Sequence, residues 1–91
     1  IMNLLSDSFP LRMLNIEQCS VDNKWDYRDV CSPFFRMFYI INGEGYICHN
    51  ETKIVLAQDK LVLIPNYTNC NYNCNSSLEM IYVMFINARK H

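Results

Sequence analysis

From about residue 34 onward, the chain consists of short apolar runs that alternate with polar positions and are separated by turn residues. The runs are rich in aromatic and β-branched side chains, which favour pleated strands. No segment shows helical periodicity with caps, so the predicted fold class is all-β, and short strands at such regular spacing predict a sandwich or barrel. The predicted strands are residues 34–41, 46–49, 53–57, 61–64, 69–74 and 80–86.

The segment before residue 34 is less regular. Residues 11–16, which follow Pro10, predict a short strand, and the polar residues 20–24 predict a loop. Further along, Pro65 cannot donate a ladder hydrogen bond and therefore marks the end of a strand. The last run, 80–86, is apolar almost throughout, which predicts a strand covered on both faces.

Three turns are predicted between these strands. Residues 42–45, Asn-Gly-Glu-Gly, hold both glycines of the chain, and glycine permits the positive φ of a tight hairpin. We therefore expect residues 34–41 and 46–49 to pair as a hairpin. Residues 49–52 and 58–60 predict the second and third turns.

Length and composition narrow the class of protein. The 91 residues make one domain, and 51% of them are hydrophobic, which predicts a well-filled core or apolar surface left over for a partner segment. The formal net charge is −1 and the basic residues are scattered, so the chain lacks the basic face with which proteins neutralise phosphates. We expect no direct contact with nucleic acid.

The cysteines and the lengths of the apolar runs indicate in which cellular compartment the protein is expected. The chain has five cysteines, an odd count, and does not start like a signal peptide, which favours free thiols in the reducing cytoplasm. No apolar run approaches the roughly 18 residues that span a bilayer, so no membrane partner is expected.

Three blocks of sequence resemble a known family. The block from Pro33 to Gly45, the block from Asp59 to Pro65 and the closing Tyr82-Val83-Met84-Phe85 are similar to the cupin-type N-terminal domain of AraC-type transcription regulators. The similarity covers about two thirds of the chain, and the order and spacing of the blocks carry it more than any single motif.

The resemblance implies a small cupin-like barrel, a double-stranded β-helix or jelly roll, that binds an effector such as a sugar or related metabolite. Residues 1–91 are then a single ligand-binding domain, truncated from a longer regulator that is a homodimer and contacts DNA only through a helix-turn-helix domain absent from this chain. The resemblance further implies that residues 1–15 are an arm that folds over the ligand. It implies a sensor that is not an enzyme.

Metal-dependent cupin enzymes are the main alternative. In the first motif of these enzymes, counted back from Gly43, Arg36 stands at the position of a glutamate ligand. In the second motif, counted from Pro65, Asp59 stands at the position of a glycine and Cys70 at that of a histidine ligand. No histidine occurs in residues 29–32, where two more ligands are expected. We therefore predict no metal and no cofactor, although a stand-alone cupin of isomerase or oxygenase type stays open.

A third hypothesis is an interaction module that dimerises through apolar surface and binds no ligand. In that case we expect a solid interior without a cavity, filled by Phe38, Ile40 and Tyr82.

Strand alternation places Arg36 and Asn42 on one face of the first strand. If that face lines the barrel, the Arg36 guanidinium can clamp a carboxylate or a hydroxyl-rich ligand with paired hydrogen bonds. The alternative is that Arg36 pairs with Glu79 or Glu44 at the barrel rim.

Five further residues are candidates for the ligand pocket. Tyr72 and Tyr82 match positions that line the effector pocket of the resembling domains, and tyrosine offers a stacking face and a hydroxyl. Met80 matches a position that is polar in the arabinose-sensing member, so we expect a different effector. Trp25 is a candidate cap over the barrel mouth, and Cys70, on the same strand face as Cys74, a candidate pocket thiol. For Tyr72, Tyr82, Trp25 and Cys70 the alternative is a structural role in packing.

Overall fold

Residues 10–87 are described in a computed structural model of the chain, and they form eight β-strands and no helix. This confirms the predicted all-β class. No helix able to cross a membrane is therefore found in this range. The strands are β1 Leu11–Asp22, β2 Asp26–Val30, β3 Phe35–Gly43, β4 Gly45–His49, β5 Thr52–Leu56, β6 Leu61–Ile64, β7 Cys70–Asn73 and β8 Ser77–Asn87.

The strands form two four-stranded antiparallel sheets. The first sheet has the order β1-β8-β3-β6 and the second sheet the order β2-β7-β4-β5. From β5 onward the chain passes from one sheet to the other at every step, which is the jelly-roll arrangement of a cupin-like barrel. The core lies between the sheets and is formed by Arg36, Phe38, Ile40, Ile47, Leu56, Val62, Ile64, Cys70, Tyr72, Cys74, Leu78 and Met80.

The predictions before residue 34 were wrong in two places. Strand β1 continues through residues 20–22, predicted as a loop, and pairs with β8 along its length. The polar residues among 20–24 favour a loop locally, and only the pairing with β8 shows that the strand continues to Asp22. Strand β2 was not predicted, because it is a mostly exposed edge strand with charged residues at Asp26, Arg28 and Asp29.

The segment 42–45 is not a hairpin. Strand β3 pairs with β6 and β8, whereas β4 pairs with β5 and β7, so this segment carries the chain from the first sheet to the second. Gly43 has φ +92°, and a Cβ at this position would lie 2.3 Å from the backbone oxygen of Ser77. Glycine is therefore required here by close backbone approach, as well as by its positive φ.

The other two turns differ from each other. Residues 49–52 form the predicted hairpin turn between β4 and β5, with positive φ at both Asn50 and Glu51, as in a type I′ turn. Residues 58–60 also turn, with Lys60 N donating to Ala57 O at 3.0 Å, but they lead from the second sheet to the first.

Strand β8 lies between β1 and β3. Its core face is buried at Leu78 and Met80, and on its other face Val83 is buried while Ile81 and Phe85 stay partly exposed. The prediction of a strand covered on both faces is therefore confirmed only around Val83.

The outward side of the first sheet is apolar over most of its area. Strand pairing places residues from all four strands on this side, and several are more than half exposed, among them Leu61 at 61% and Leu63 at 53%. We call this side the outer face. Its apolar members are Met13, Ile16, Phe35, Met37, Tyr39, Leu61, Leu63, Ile81, Val83 and Phe85.

Candidate functional site

A cavity of about 430 Å³ lies between the two sheets, on the side where β1 and β2 are the edge strands. Among residues 10–87, ten side chains line it, of which five are aromatic and one, on β1, is a carboxylate. This composition is typical of small-molecule sites, which combine apolar walls with few polar groups. The lining residues are Glu17, Cys19, Val21, Trp25, Tyr27, Val30, Phe38, Tyr72, Met80 and Tyr82.

A second hollow of about 440 Å³ adjoins this cavity and shares Val21, Trp25 and Tyr27 with it. Its remaining lining comes from the polar residues Ser20, Asp22 and Lys24. The cavity between the sheets is the better candidate site, because its walls reach the core and are mostly apolar.

Four aromatic rings form the inner wall of the cavity. The indole of Trp25 stacks on the Tyr72 ring with centroids 5.1 Å apart and planes 10° apart. Phe38 contacts Tyr72 edge-on at 5.7 Å and stacks against Tyr82 at 4.9 Å. These contacts join the turn before β2 to strands of both sheets, so the wall is fixed by tertiary packing.

Arg36 lies behind this wall and is completely buried. Its Nη1 atom donates to the Tyr72 hydroxyl at 2.5 Å and to the Val30 carbonyl at 3.3 Å, and its Nη2 atom donates to the Thr68 carbonyl at 2.5 Å. Within residues 10–87 its Nε–H finds no acceptor, and no carboxylate pairs with it. The alternative of a rim ion pair with Glu79 or Glu44 is therefore wrong.

Burial affects the titration of both cavity tyrosines. Burial raises the pKa of Tyr72 to about 12, although the adjacent Arg36 charge opposes the rise. Burial also raises the pKa of Tyr82, again against the effect of Arg36. Both hydroxyls therefore keep their protons at physiological pH and are hydrogen-bond donors.

Four of the pocket candidates lie together in the cavity wall, namely Trp25, Tyr72, Met80 and Tyr82. Arg36 and Cys70 are buried nearby and do not line it.

Asn42 lies elsewhere. A register shift between Ile40 and Asn42 breaks the alternation of β3, so Asn42 is exposed and does not share the inward face of Arg36. Its Oδ1 atom accepts a hydrogen bond from Gly43 N at 2.9 Å. The predicted common face of the two residues was therefore wrong at Asn42.

Several lining residues were not selected from the sequence. Glu17, Cys19 and Val21 alternate along the part of β1 that was not predicted as a strand, and Tyr27 and Val30 belong to the unpredicted β2. The alternation of Glu17, Cys19 and Val21 is the signal that would have found the first three.

A cupin metal centre does not fit the residues at the expected ligand positions. Arg36 brings a buried positive charge to one position, and burial raises the pKa of the Cys70 thiol at another, which disfavours the thiolate. Asp59, which stands at the glycine position and has a positive φ of 67°, is exposed and accepts a hydrogen bond from the Tyr39 hydroxyl at 2.9 Å. Within residues 10–87, no three His, Cys, Asp or Glu side chains are grouped so that they can hold a metal ion.

Comparison with known proteins identifies relatives in structure only. No sequence model of a protein family matches the chain, and no curated protein matches it significantly. Among solved structures, a conserved Streptococcus pyogenes protein of unknown function matches with a TM-score of 0.73 and 18% identity, over 87% of this chain and 75% of that one.

Two further solved structures extend the comparison. The EutQ protein of Clostridium difficile matches with a TM-score of 0.70 and 15% identity, over 86% of this chain and 62% of that one. A cupin-2 domain protein from Shewanella frigidimarina matches with a TM-score of 0.68 and 12% identity, over 91% and 90% of the two chains. At these identities the likeness shows the cupin fold alone.

Proposed function

We propose that this chain is the effector-binding domain of an AraC-type transcription regulator. The observation that carries the proposal is the cavity in which Trp25, Tyr72, Met80 and Tyr82 meet. Its volume of about 430 Å³ suits a small metabolite such as a sugar. The sequence blocks that resemble AraC-type domains support the regulatory role.

In this proposal the ligand acts by binding one arrangement of the regulator better than another, since equal affinity would shift nothing. A helix-turn-helix domain outside residues 1–91 contacts DNA in the cytoplasm, and the intact regulator is a homodimer. The expected N-terminal arm lies largely outside the described residues. Residues 11–15 begin β1, which contributes Glu17 and Cys19 to the cavity and so links the arm to the site.

The proposal is for a binding domain and not for an enzyme. The cavity wall is aromatic and aliphatic, and its only carboxylate, Glu17, lies on an exposed part of β1. Paired acid and base groups, which hydrolytic or isomerising sites use, do not meet there among the described residues.

The ligand-binding part can be tested with purified protein. Trp25 is the only tryptophan of the chain, so its fluorescence reports directly on the cavity. A metabolite library is screened for compounds that raise the melting temperature and change this fluorescence. We expect Val30→Phe, which fills the cavity, to abolish binding, and Val55→Phe, the same change at an exposed site on β5, to preserve it.

Binding that survives Val30→Phe, or a screen without any ligand, would contradict the proposed site. The regulatory part is tested separately by sequencing the gene beyond the codon for His91. We expect the gene to encode two helix-turn-helix units there. Their absence would contradict the regulatory role but not the proposal of a ligand-binding domain.

A second candidate function is self-association through the outer face. Most of this side of the described sheet is apolar, and its polar residues lie towards the two ends, Asn87 at one and Gln18, Ser20, Asn42 and Glu79 at the other, where Gln18 donates a hydrogen bond to Glu79. Five of its apolar side chains, Met13, Ile16, Tyr39, Leu61 and Leu63, are more than a third exposed. Contiguous exposed apolar surface of this kind often marks an interaction site. A second copy is the occupant we propose, because the apolar middle of this face can meet itself across a two-fold axis without repulsion between charges.

A further inference from the structure

We infer that the cavity selects ring-shaped ligands that carry a carboxylate or a similar anionic group. This inference rests on the proposed function and names the ligand class of the same site. Aromatic acids and sugar acids share the required chemistry, a ring that packs on aromatic side chains and an anion that accepts hydrogen bonds.

The first observation is the uncompensated charge of Arg36. The guanidinium is completely buried, and its hydrogen-bond partners are neutral oxygens of Val30, Thr68 and Tyr72. No described carboxylate balances it. A buried charge without a counter-charge is unfavourable, so an anion bound nearby is favoured by direct electrostatic attraction.

The second observation is that Tyr72 connects this charge to the cavity. Its hydroxyl oxygen already accepts from Arg36, so its proton is free to be donated, and no described residue accepts it. An oxygen that accepts this proton lies within about 5 Å of the guanidinium nitrogen, because two hydrogen bonds that meet at an angle span less than their summed lengths.

Tyr82 adds a second donor. Its hydroxyl has no hydrogen-bond partner in residues 10–87, although its side chain lines the cavity. Burial raises the pKa of both tyrosines, which keeps both protons in place for donation. Two donors backed by a cation suit a ligand group that only accepts hydrogen bonds, as a carboxylate does.

The aromatic wall accounts for the ring. Trp25, Phe38 and Tyr82 present ring surface to the cavity, and such surfaces bind flat rings by stacking and sugar rings by their apolar C–H faces. One group opposes the anion, namely Glu17 at the rim. Glu17 is exposed on β1, so solvent and salt screen its carboxylate charge. The buried charge of Arg36 is screened much less.

The test uses two pairs of probes that differ mainly in charge, benzoate with benzamide and galacturonate with galactose. Affinities are measured by Trp25 fluorescence and by calorimetry. We expect at least one acid to bind about tenfold more tightly than its neutral partner, the gain typical of a charge-assisted hydrogen bond. The pair that binds shows whether aromatic or sugar acids are preferred.

Two variants test the assigned groups. Tyr82→Phe keeps the ring and removes one donor, so it should reduce the preference for the acid over its neutral partner. Glu17→Gln removes the opposing charge, so it should tighten acid binding about two- to threefold at low ionic strength and less at high salt. A Glu17→Gln protein that binds the acid more weakly would overturn the assigned electrostatics.

Neutral probes that bind as tightly as the acids would overturn the inference and leave the proposed function intact. If all four probes fail, the ligand from the metabolite screen decides, because an acid supports the inference and a neutral or cationic ligand overturns it. Failure to find any ligand would overturn both the inference and the proposed function.

Discussion

The Nη1 atom of Arg36, on β3 of the first sheet, donates a hydrogen bond to the Tyr72 hydroxyl, on β7 of the second sheet. The two residues are 36 positions apart in the chain, and both are buried. Their contact therefore ties the two sheets together behind the cavity wall. It also couples the stability of the domain to the chemistry of its candidate site.

We expect Tyr72→Phe to destabilise the protein. The change leaves a buried guanidinium N–H with one acceptor fewer, which typically costs about 1–3 kcal/mol. Tyr82→Phe is the matched control, because the Tyr82 hydroxyl has no described partner, and its effect should be smaller. Urea unfolding of the three proteins checks this, and equal losses in both variants would contradict the structural role of the Tyr72 hydroxyl.

Alkaline pH should weaken the fold through Tyr72. Its pKa is raised by burial to about 12 when folded and is about 10 when unfolded, so the unfolded state loses this proton first. Stability is therefore unaffected by this group below pH 10 and falls above it, by at most about 1.4 kcal/mol per pH unit up to the folded pKa. Urea midpoints from pH 8 to pH 11 should fall less steeply for Tyr72→Phe than for the natural protein. Parallel profiles would refute the assignment.

Gly43→Ala should be strongly destabilising. The added Cβ would lie 2.3 Å from Ser77 O, and the residue has φ +92°, so sterics and backbone strain act together and should cost about 2 kcal/mol or more. Gly45→Ala is the control, since this residue lacks a positive φ and its Cβ would come no closer than 3.0 Å, to a Leu78 methyl, and 3.1 Å to Asn73 O. Thermal unfolding should place Gly43→Ala well below Gly45→Ala. The reverse order would show that the crossing between the sheets is built differently.

Self-association should depend on the outer face. Leu63→Glu puts a charge on this face, and in a two-fold contact the charge would meet its own copy or be buried, so any dimer should dissociate. Val55→Glu makes the same kind of change on β5 of the second sheet and should have no effect. Sedimentation velocity at several concentrations distinguishes them. A natural protein that stays monomeric throughout would rule out this contact.

Most strands of the fold could be predicted from the pattern of apolar and polar residues. The segments that form β3 to β8 either alternate between apolar and polar residues or are apolar throughout, and both patterns predict strands. A strand that covers a core on one side has an apolar residue at every second position. The turn at Asn50 and Glu51 was predicted correctly, since it joins two strands that are neighbours in both sequence and space.

The connection at 42–45 shows where local pattern stops being informative. Glycines at Gly43 and Gly45 indicate a tight change of direction, but they do not determine whether the next strand pairs with the previous one or joins the other sheet. That choice depends on long-range packing. For the same reason, the edge strand β2 escaped prediction, because it is held by pairing with β7 and not by burial of its own side chains.

The sequence by itself determined the all-β class and most of the strands, because these depend on local alternation. It also supplied pocket candidates, Arg36 from strand alternation and side-chain chemistry and the two tyrosines from the resemblance to a known family. Tertiary structure alone decided which of those residues meet. It placed Trp25, Tyr72, Met80 and Tyr82 around one cavity, moved Asn42 to the surface through a register shift, and buried Arg36 behind the wall. Contacts between distant strands have no local signature, so the unpaired charge behind the cavity became visible only in the folded chain.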